Sequence, residues 1–132
     1  MTAMPTAASA PSLSRARDRE IVIARDFSPF PGGRFERHGP HSGEAFRKKH
    51  LVPALNEARA EAGRAVVILD GVVGYAGSFL EEAFGGLVRV DGFTKNELAS
   101  ILEVRSDALV FRPYRDLALQ YIEDAVAEAR TG

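Results

Sequence analysis

Ser78 stands where "LDGVVGYAG" gives way to "SFLEEAFGGLVR", with Gly74 and Gly77 just before it and the acidic pair Glu81 and Glu82 one turn after it. A serine in a glycine-bearing turn, behind an apolar run and ahead of a helix, has three roles open to it: nucleophile, acceptor of a regulatory phosphate, or helix cap. Spacing gives the nucleophile little support. "AGSFL" lacks the second glycine of the G-x-S-x-G elbow, and no histidine and acid are marked as its partners. "GYAGS" fails as a phosphate loop because it has no G-K-[ST] ending. The free amides and dipole of a helix start still favour an anion there. With Ser78 as the cap, Glu81 falls at the third helical position, and this capping-box arrangement, worth about 1 kcal/mol, is the reading the spacing favours.

A second group lies in "FPGGRFERHGPHSGEAFRKKH". It holds the three histidines, His38, His41 and His50, together with Arg34, Arg37, Arg47, Lys48 and Lys49. His38, His41 and Glu44 are metal-ligand types without a strict spacing motif, so the segment reads as a solvated basic edge. Because it falls in a loop and a helix start, Arg34, Arg37 and Arg47 are candidate contacts to an anion or to an acidic partner surface.

These residues sit in a chain of 132, with 45% hydrophobic and 27% charged residues, which fits one domain with a single core. Lys and Arg total 17 against 18 for Asp and Glu. That balance provides no global positive field, so nucleic acid is not favoured. The chain has no cysteine, which excludes disulfides, thiolate nucleophiles and cysteine-ligated metal centres and suits a reducing cytoplasm. No run approaches the roughly 18 apolar residues of a membrane span. The Ala-, Pro- and Ser-rich opening, residues 1–18, reads as a disordered tail ahead of a domain over 19–131.

The elements that would position the candidate residues alternate between strand and helix. "EIVIARDF" reads as a strand ended by the turn "SPFPGG", and "RFERHG" as a short returning strand. Ser42 caps a helix whose first turn holds Glu44 and whose stop is Gly63. Pro53 either kinks it or divides it into two abutting pieces. Leu51, Leu55, Ala58 and Ala62 keep helical spacing toward the core. "AVVILDG" is a continuous apolar run, as expected of a central strand covered on both faces.

In the helix after Ser78, Phe79, Leu80, Ala83, Phe84, Leu87 and Val88 hold their spacing across Gly85 and Gly86. The helix therefore runs through both glycines, compensated by close packing on another backbone, or else it ends at Gly85. "TKNELASILEV" reads as a helix with a Thr94–Glu97 capping box, "ALVF" as a short strand, and "PYRDLALQYIEDAVAEAR" as an amphipathic helix with Pro113 at its start. The alternation predicts an α/β fold, a mixed sheet covered by helices with its later strands parallel.

Three segments together, "FSPFPGGRFERHGPHSGEAFRKKHLVPAL", "VVILDG" and "GYAGSFLEEAFGGLVR", resemble the bacterial STAS-like domain of unknown function, a relative of the anti-sigma factor antagonists. The resemblance implies a STAS-type fold and a non-enzymatic, regulatory role as a protein-binding module, with a histidine-kinase-like ATPase as counterpart. In the better-known antagonists the strand is followed by an Asp-Ser-Ser-Gly-Leu turn whose first serine is phosphorylated. Setting Leu80 against that leucine puts Ser78 at the second serine and Gly77, which has no hydroxyl, at the acceptor. A phosphate on Ser78 would add about −1.5 to −2 charge beside Glu81 and Glu82 and act as a disruptive switch.

The reading that follows is a cytoplasmic signalling module, without cofactor or metal, that binds a protein through Gly74, Tyr75, Gly77, Ser78 and Phe79 and through Glu81 and Glu82 on an exposed helix side. The alternative is a small-molecule or nucleotide sensor that holds an anion at the Gly74–Ser78 turn and helix start. Oligomeric state is left open.

Overall fold

The computed structural model describes residues 17–131. The expected tail therefore lies outside the described residues as far as residue 16. Asp18, assigned to the tail from sequence, is buried, and its carboxylate accepts the Arg64 amide at 2.8 Å.

Three strands form one sheet: β1 (Arg19–Val22), β2 (Ala65–Ile68) and β3 (Leu102–Arg105), in the order β1-β2-β3. Both pairings are parallel, with Ile21, Val67 and Val104 side by side in the register. The sheet is thus wholly parallel among the described residues rather than mixed. Parallel neighbours need a crossover between them, and helices supply both. From β1 to β2 the chain passes through α1, residues 43–61. From β2 to β3 it passes through α2, residues 77–89, and α3 (Lys95–Ile101). The long helix α4 (Arg112–Thr131) follows β3.

Ile21, Val67 and Val104 join Phe46, Leu55, Phe79, Phe84 and Ile122 in one core, whereas Val66 and Ile68, which point to the other face, are buried outside that cluster. β2 is buried at every position, as its continuous apolar run requires.

Several local elements depart from the sequence expectations. Only the first part of "EIVIARDF" is strand. Ile23–Phe27 closes a π turn that Ser28 N–H ends on the Ile23 carbonyl, and the Asp26 carboxylate accepts the Val22 amide at 2.8 Å. "RFERHG" contains a 3₁₀ turn, Glu36–His38, instead of a strand, held by the Phe35 amide donating to His38 Nδ1. "ALVF" is also a 3₁₀ turn, Leu109–Phe111, and the third strand is the preceding "LEVR", whose period-two alternation lay hidden in the expected helix end.

Helix α1 begins as expected, with buried Ser42 accepting the Ala45 amide at 3.1 Å. At the proline it falls into abutting pieces, as expected: the piece Val52–Glu61 carries Pro53 in its first turn. A π turn over Arg47–Leu51, closed by Val52 N–H on the Arg47 carbonyl, widens the helix just ahead of the proline, and the ring's clash with the preceding turn is taken up there. The stop is one residue early: Ala62, not Gly63, adopts the left-handed conformation at φ 58°, and Ala62 is exposed.

Helix α2 does run through both glycines, with a π turn over Glu81–Gly85 and helical φ/ψ at Gly85 and Gly86. Helix α3 starts on the expected box, in which Thr94 Oγ1 accepts from Glu97 N–H and Glu97 Oε1 from Thr94 N–H. No described helix is long and apolar enough to cross a membrane.

Candidate functional site

Helices α1 and α2 meet at their amino-terminal halves, and Arg47 of α1 and the acidic pair Glu81 and Glu82 of α2 are spent on that contact. Gly43 brings the helices together, since a Cβ there would fall on the Phe79 carbonyl. One turn on, the Arg47 side chain is 2% exposed and reaches across to α2. Its Nη1 donates to Glu82 Oε2 at 2.6 Å and to the Glu82 carbonyl at 2.7 Å. Arg47 Nε pairs with Asp91 Oδ2 at 2.9 Å, off the angle of a hydrogen bond.

Glu82 is 4% exposed. Arg34 and Arg89 enclose the outer side of the cluster. Arg34 Nη1 donates to Glu81 Oε1, and Arg89 bonds both Glu81 oxygens at 2.6 and 3.1 Å and lies 3.4 Å from Glu82 Oε1. Three guanidiniums thus face three carboxylates, which is how charge is held inside a fold without a large uncompensated desolvation cost. Burial opposes ionisation of Glu81, but the hydrogen bonds from Arg89 and Arg34 outweigh it and hold the carboxyl below its ordinary value.

This network corrects three expectations. Glu82 is not on an exposed side of α2, Arg47 is not free for a ligand, and Arg34 is engaged by Glu81. Arg37 stays exposed, over the Phe35 ring at 4.5 Å. Arg47 also supplies the neighbour that Gly86 makes room for, a guanidinium rather than another backbone.

Ser78 is not the helix cap. The residue with extended φ/ψ whose carbonyl accepts the first helical amides, from Phe79 and Leu80, is Ala76, and it offers no side-chain oxygen. Ser78 stands at the second helical position, half-buried, and Glu81 turns to the arginines instead of folding back. What fixes the turn before it is α4. Tyr114 and Tyr121, seven residues and about two helical turns apart, bring their hydroxyls to 3.5 Å from a Cβ placed on Gly74 and 3.1 Å from one on Gly77. The contact at Gly74 is an ordinary one, whereas a side chain at Gly77 would crowd Tyr121, a signal readable only once the two segments are known to touch.

Tyr75 is buried, donating to the Leu69 carbonyl at 2.7 Å, and burial pushes its hydroxyl pKa well above the usual tyrosine range. Phe79 is fully buried, while Gly77 is exposed and Gly74 half-buried. His38 Nδ1 and Glu44 Oε1 accept backbone amides, and His41 and His50 pack on the edges of Phe27.

The exposed feature at this end of the molecule was missed from sequence because its residues are scattered. Phe30 (67% exposed), Val73 (78%), Leu109 (72%) and Val110 (74%) all lie on the connections that leave the carboxyl ends of the three strands. The connections are stitched together: Val73 N–H donates to the Pro29 carbonyl, and the Asp70 carboxylate accepts the amides of Asp107 and Ala108 at 2.9 and 2.7 Å. Phe30, Pro31, Val73, Gly74, Tyr75 and Tyr114 line a shallow groove of about 360 Å³ there. In open parallel sheets the crevice at the carboxyl ends of the strands is the usual place for recognition.

Comparison with curated proteins and with solved structures gives no match. The family model described as a STAS-like domain of unknown function matches residues 42–108, from the Ser42 cap of α1 to the turn after β3. That span takes in both helices of the arginine–carboxylate network, and the chain belongs to this STAS-like family.

Proposed function

We propose that the protein is a regulatory module that works by binding another protein through the carboxyl edge of its sheet. The observation that carries this is the groove in which the exposed Phe30 and Val73 meet Pro31 and Tyr114, with Leu109 and Val110 also exposed on the loop that Asp70 ties to the same strand ends. Contiguous exposed apolar surface on a small domain marks interaction, and a surface already rigid loses less entropy on binding. Gly74 and Tyr75 of the adjoining turn line the groove, and the turn runs on to the exposed Gly77 and the half-buried Ser78. Glu81 and Glu82 contribute indirectly, by fixing α2. The counterpart fitting the anti-sigma antagonist resemblance is a histidine-kinase-like ATPase, met in the cytoplasm.

The test is affinity capture from the native host with and without ATP, using the wild type and Val73→Asp. Recovery of such an ATPase by the wild type and its loss in the variant is the expected result. Recovery unchanged by Val73→Asp, or no recovered protein, overturns the reading.

One observation favours a second reading, an anion sensor. The start of α2 has no side-chain cap, which leaves amides of its first turn for a ligand. Arg34, already held by Glu81, is not available to assist. A rise in melting temperature with a nucleotide or phosphate, reduced by Ala76→Asp, is what this reading requires.

A further inference from the structure

The charged side chains around this apolar platform are nearly all held by partners. The carboxylates of the surrounding loops and helix starts are engaged: Asp26 by Arg25 and the Val22 amide, Glu36 by Lys48, Asp70 by two backbone amides, Asp107 by Arg105, and Asp116 by Arg115. Arg112 is different. It is exposed, enters none of the ion pairs seen among the described residues, and follows directly on Leu109 and Val110 as the first residue of α4. The dipole of a 20-residue helix adds to its positive charge. No acidic residue occupies the first turn of α4 to offset either. Evenly stitched loops thus present apolar side chains next to a cation with no partner of its own.

We infer that this platform docks a segment of a partner protein carrying large apolar side chains and a carboxylate. The apolar groups seat on Phe30, Val73, Leu109 and Val110, and the carboxylate pairs with Arg112. The inference rests on the protein-binding reading above and adds the chemistry of the segment that is bound. Apolar anchors supply most of the affinity and a rim charge mainly orientation and association rate. A lipid surface is disfavoured, because it calls for a broad cationic field and the chain has net charge −1 with most cations at this end paired.

The experiment selects a displayed library of random peptides on the full chain and titrates the winners by fluorescence polarisation against the wild type, Val73→Asp, Leu109→Asp and Arg112→Ala. Thermal melts check that each variant is folded, as substitutions at exposed positions should leave it. Enriched peptides are expected to combine Leu, Ile, Phe or Trp with Asp or Glu. Their affinity should fall at least about tenfold in each aspartate variant, and about threefold to tenfold in Arg112→Ala, the latter loss shrinking as salt is added.

Enrichment of basic peptides, no enrichment, or binding indifferent to all three variants overturns the inference. So does Val73-dependent binding to phosphatidylcholine–phosphatidylserine vesicles in place of peptides, or Val73-dependent self-association in sedimentation. Capture of the native ATPase separates the levels. If capture persists while the peptide result fails, the segment chemistry is wrong and the protein-binding reading stands. If both fail, the reading falls as well.

Discussion

Arg47 lays its guanidinium against Gly86, so that a Cβ on Gly86 would collide with Nη1 and come to 2.9 Å from Cζ. Gly86 has ordinary helical φ/ψ, and on helix propensity alone alanine should stabilise α2 by about 1 kcal/mol. The contact reverses the sign. Gly86→Ala must displace a buried guanidinium from Glu82, and breaking such a pair costs about 3–5 kcal/mol. Urea unfolding of Gly86→Ala should show a net loss of at least about 2 kcal/mol; a stabilised variant would mean that Arg47 is not held there.

The same pair should behave non-additively. Arg47→Met leaves the buried Glu82 only the longer contacts to Arg89 and Arg34, and Glu82→Leu leaves buried Arg47 only Asp91; each should cost up to about 3 kcal/mol, whereas the double variant removes both members of the pair and should recover part of the loss. A double-mutant cycle in urea reads the coupling directly, and additive losses would contradict the packing described.

Caps separate the two helix starts. Thr94→Ala removes an oxygen that accepts the Glu97 amide and should cost about 1 kcal/mol. Ser78→Ala removes no cap and should stay within about 0.5 kcal/mol. Ala76→Ser puts an oxygen at the true cap position and should stabilise by about 0.5–1 kcal/mol. Equal costs for Thr94→Ala and Ser78→Ala in thermal melts would restore Ser78 as the cap.

Gly77 and Tyr121 should be coupled. A Cβ at position 77 needs the Tyr121 hydroxyl to give way by a few tenths of an ångström, so Gly77→Ala should be better tolerated in a Tyr121→Phe background by about 0.5–1 kcal/mol. Equal effects in both backgrounds would remove the contact as the reason for a glycine there.

Acidification should act through Glu81. Its carboxyl pKa lies below the ordinary value in the folded state, so its contribution is complete above the unfolded value of about 4.3 and is lost as pH falls through the lower folded one. Melting temperature followed from neutral pH downward should drop less steeply below about pH 4 in Glu81→Gln than in the wild type. Parallel curves would show that the arginines do not hold Glu81 ionised.

The elements legible in the sequence were those whose signal is local. The apolar run of β2, the Ser42 cap, the Thr94–Glu97 box and the stripe of α4 depend on residues within a turn or two of one another, and each appears where its spacing puts it. Strand β3 was hidden because four alternating residues follow a two-turn helix with no breaker between them. Pro53 marks where the pieces of α1 abut, but no residue type marks that the piece ahead of it is a π turn.

The candidate site was harder to read for one physical reason. Ser78 followed by Glu81 satisfies the local rule for a capping box, worth about 1 kcal/mol. Two arginines brought from residues 34 and 89 offer Glu81 charge-assisted bonds that are stronger. Helix α2 accordingly starts at Gly77 behind the Ala76 cap, and the carboxylate turns away.

The sequence by itself determined the α/β alternation and the family, because these reside in period and motif. Only the tertiary structure decided that Arg47, Glu81 and Glu82 hold two helices together, that Gly77 makes room for Tyr121, and that four scattered apolar residues share one edge. Each of those facts is a contact between segments distant in the chain, and such a contact takes its energy from burial and pairing that no local spacing records.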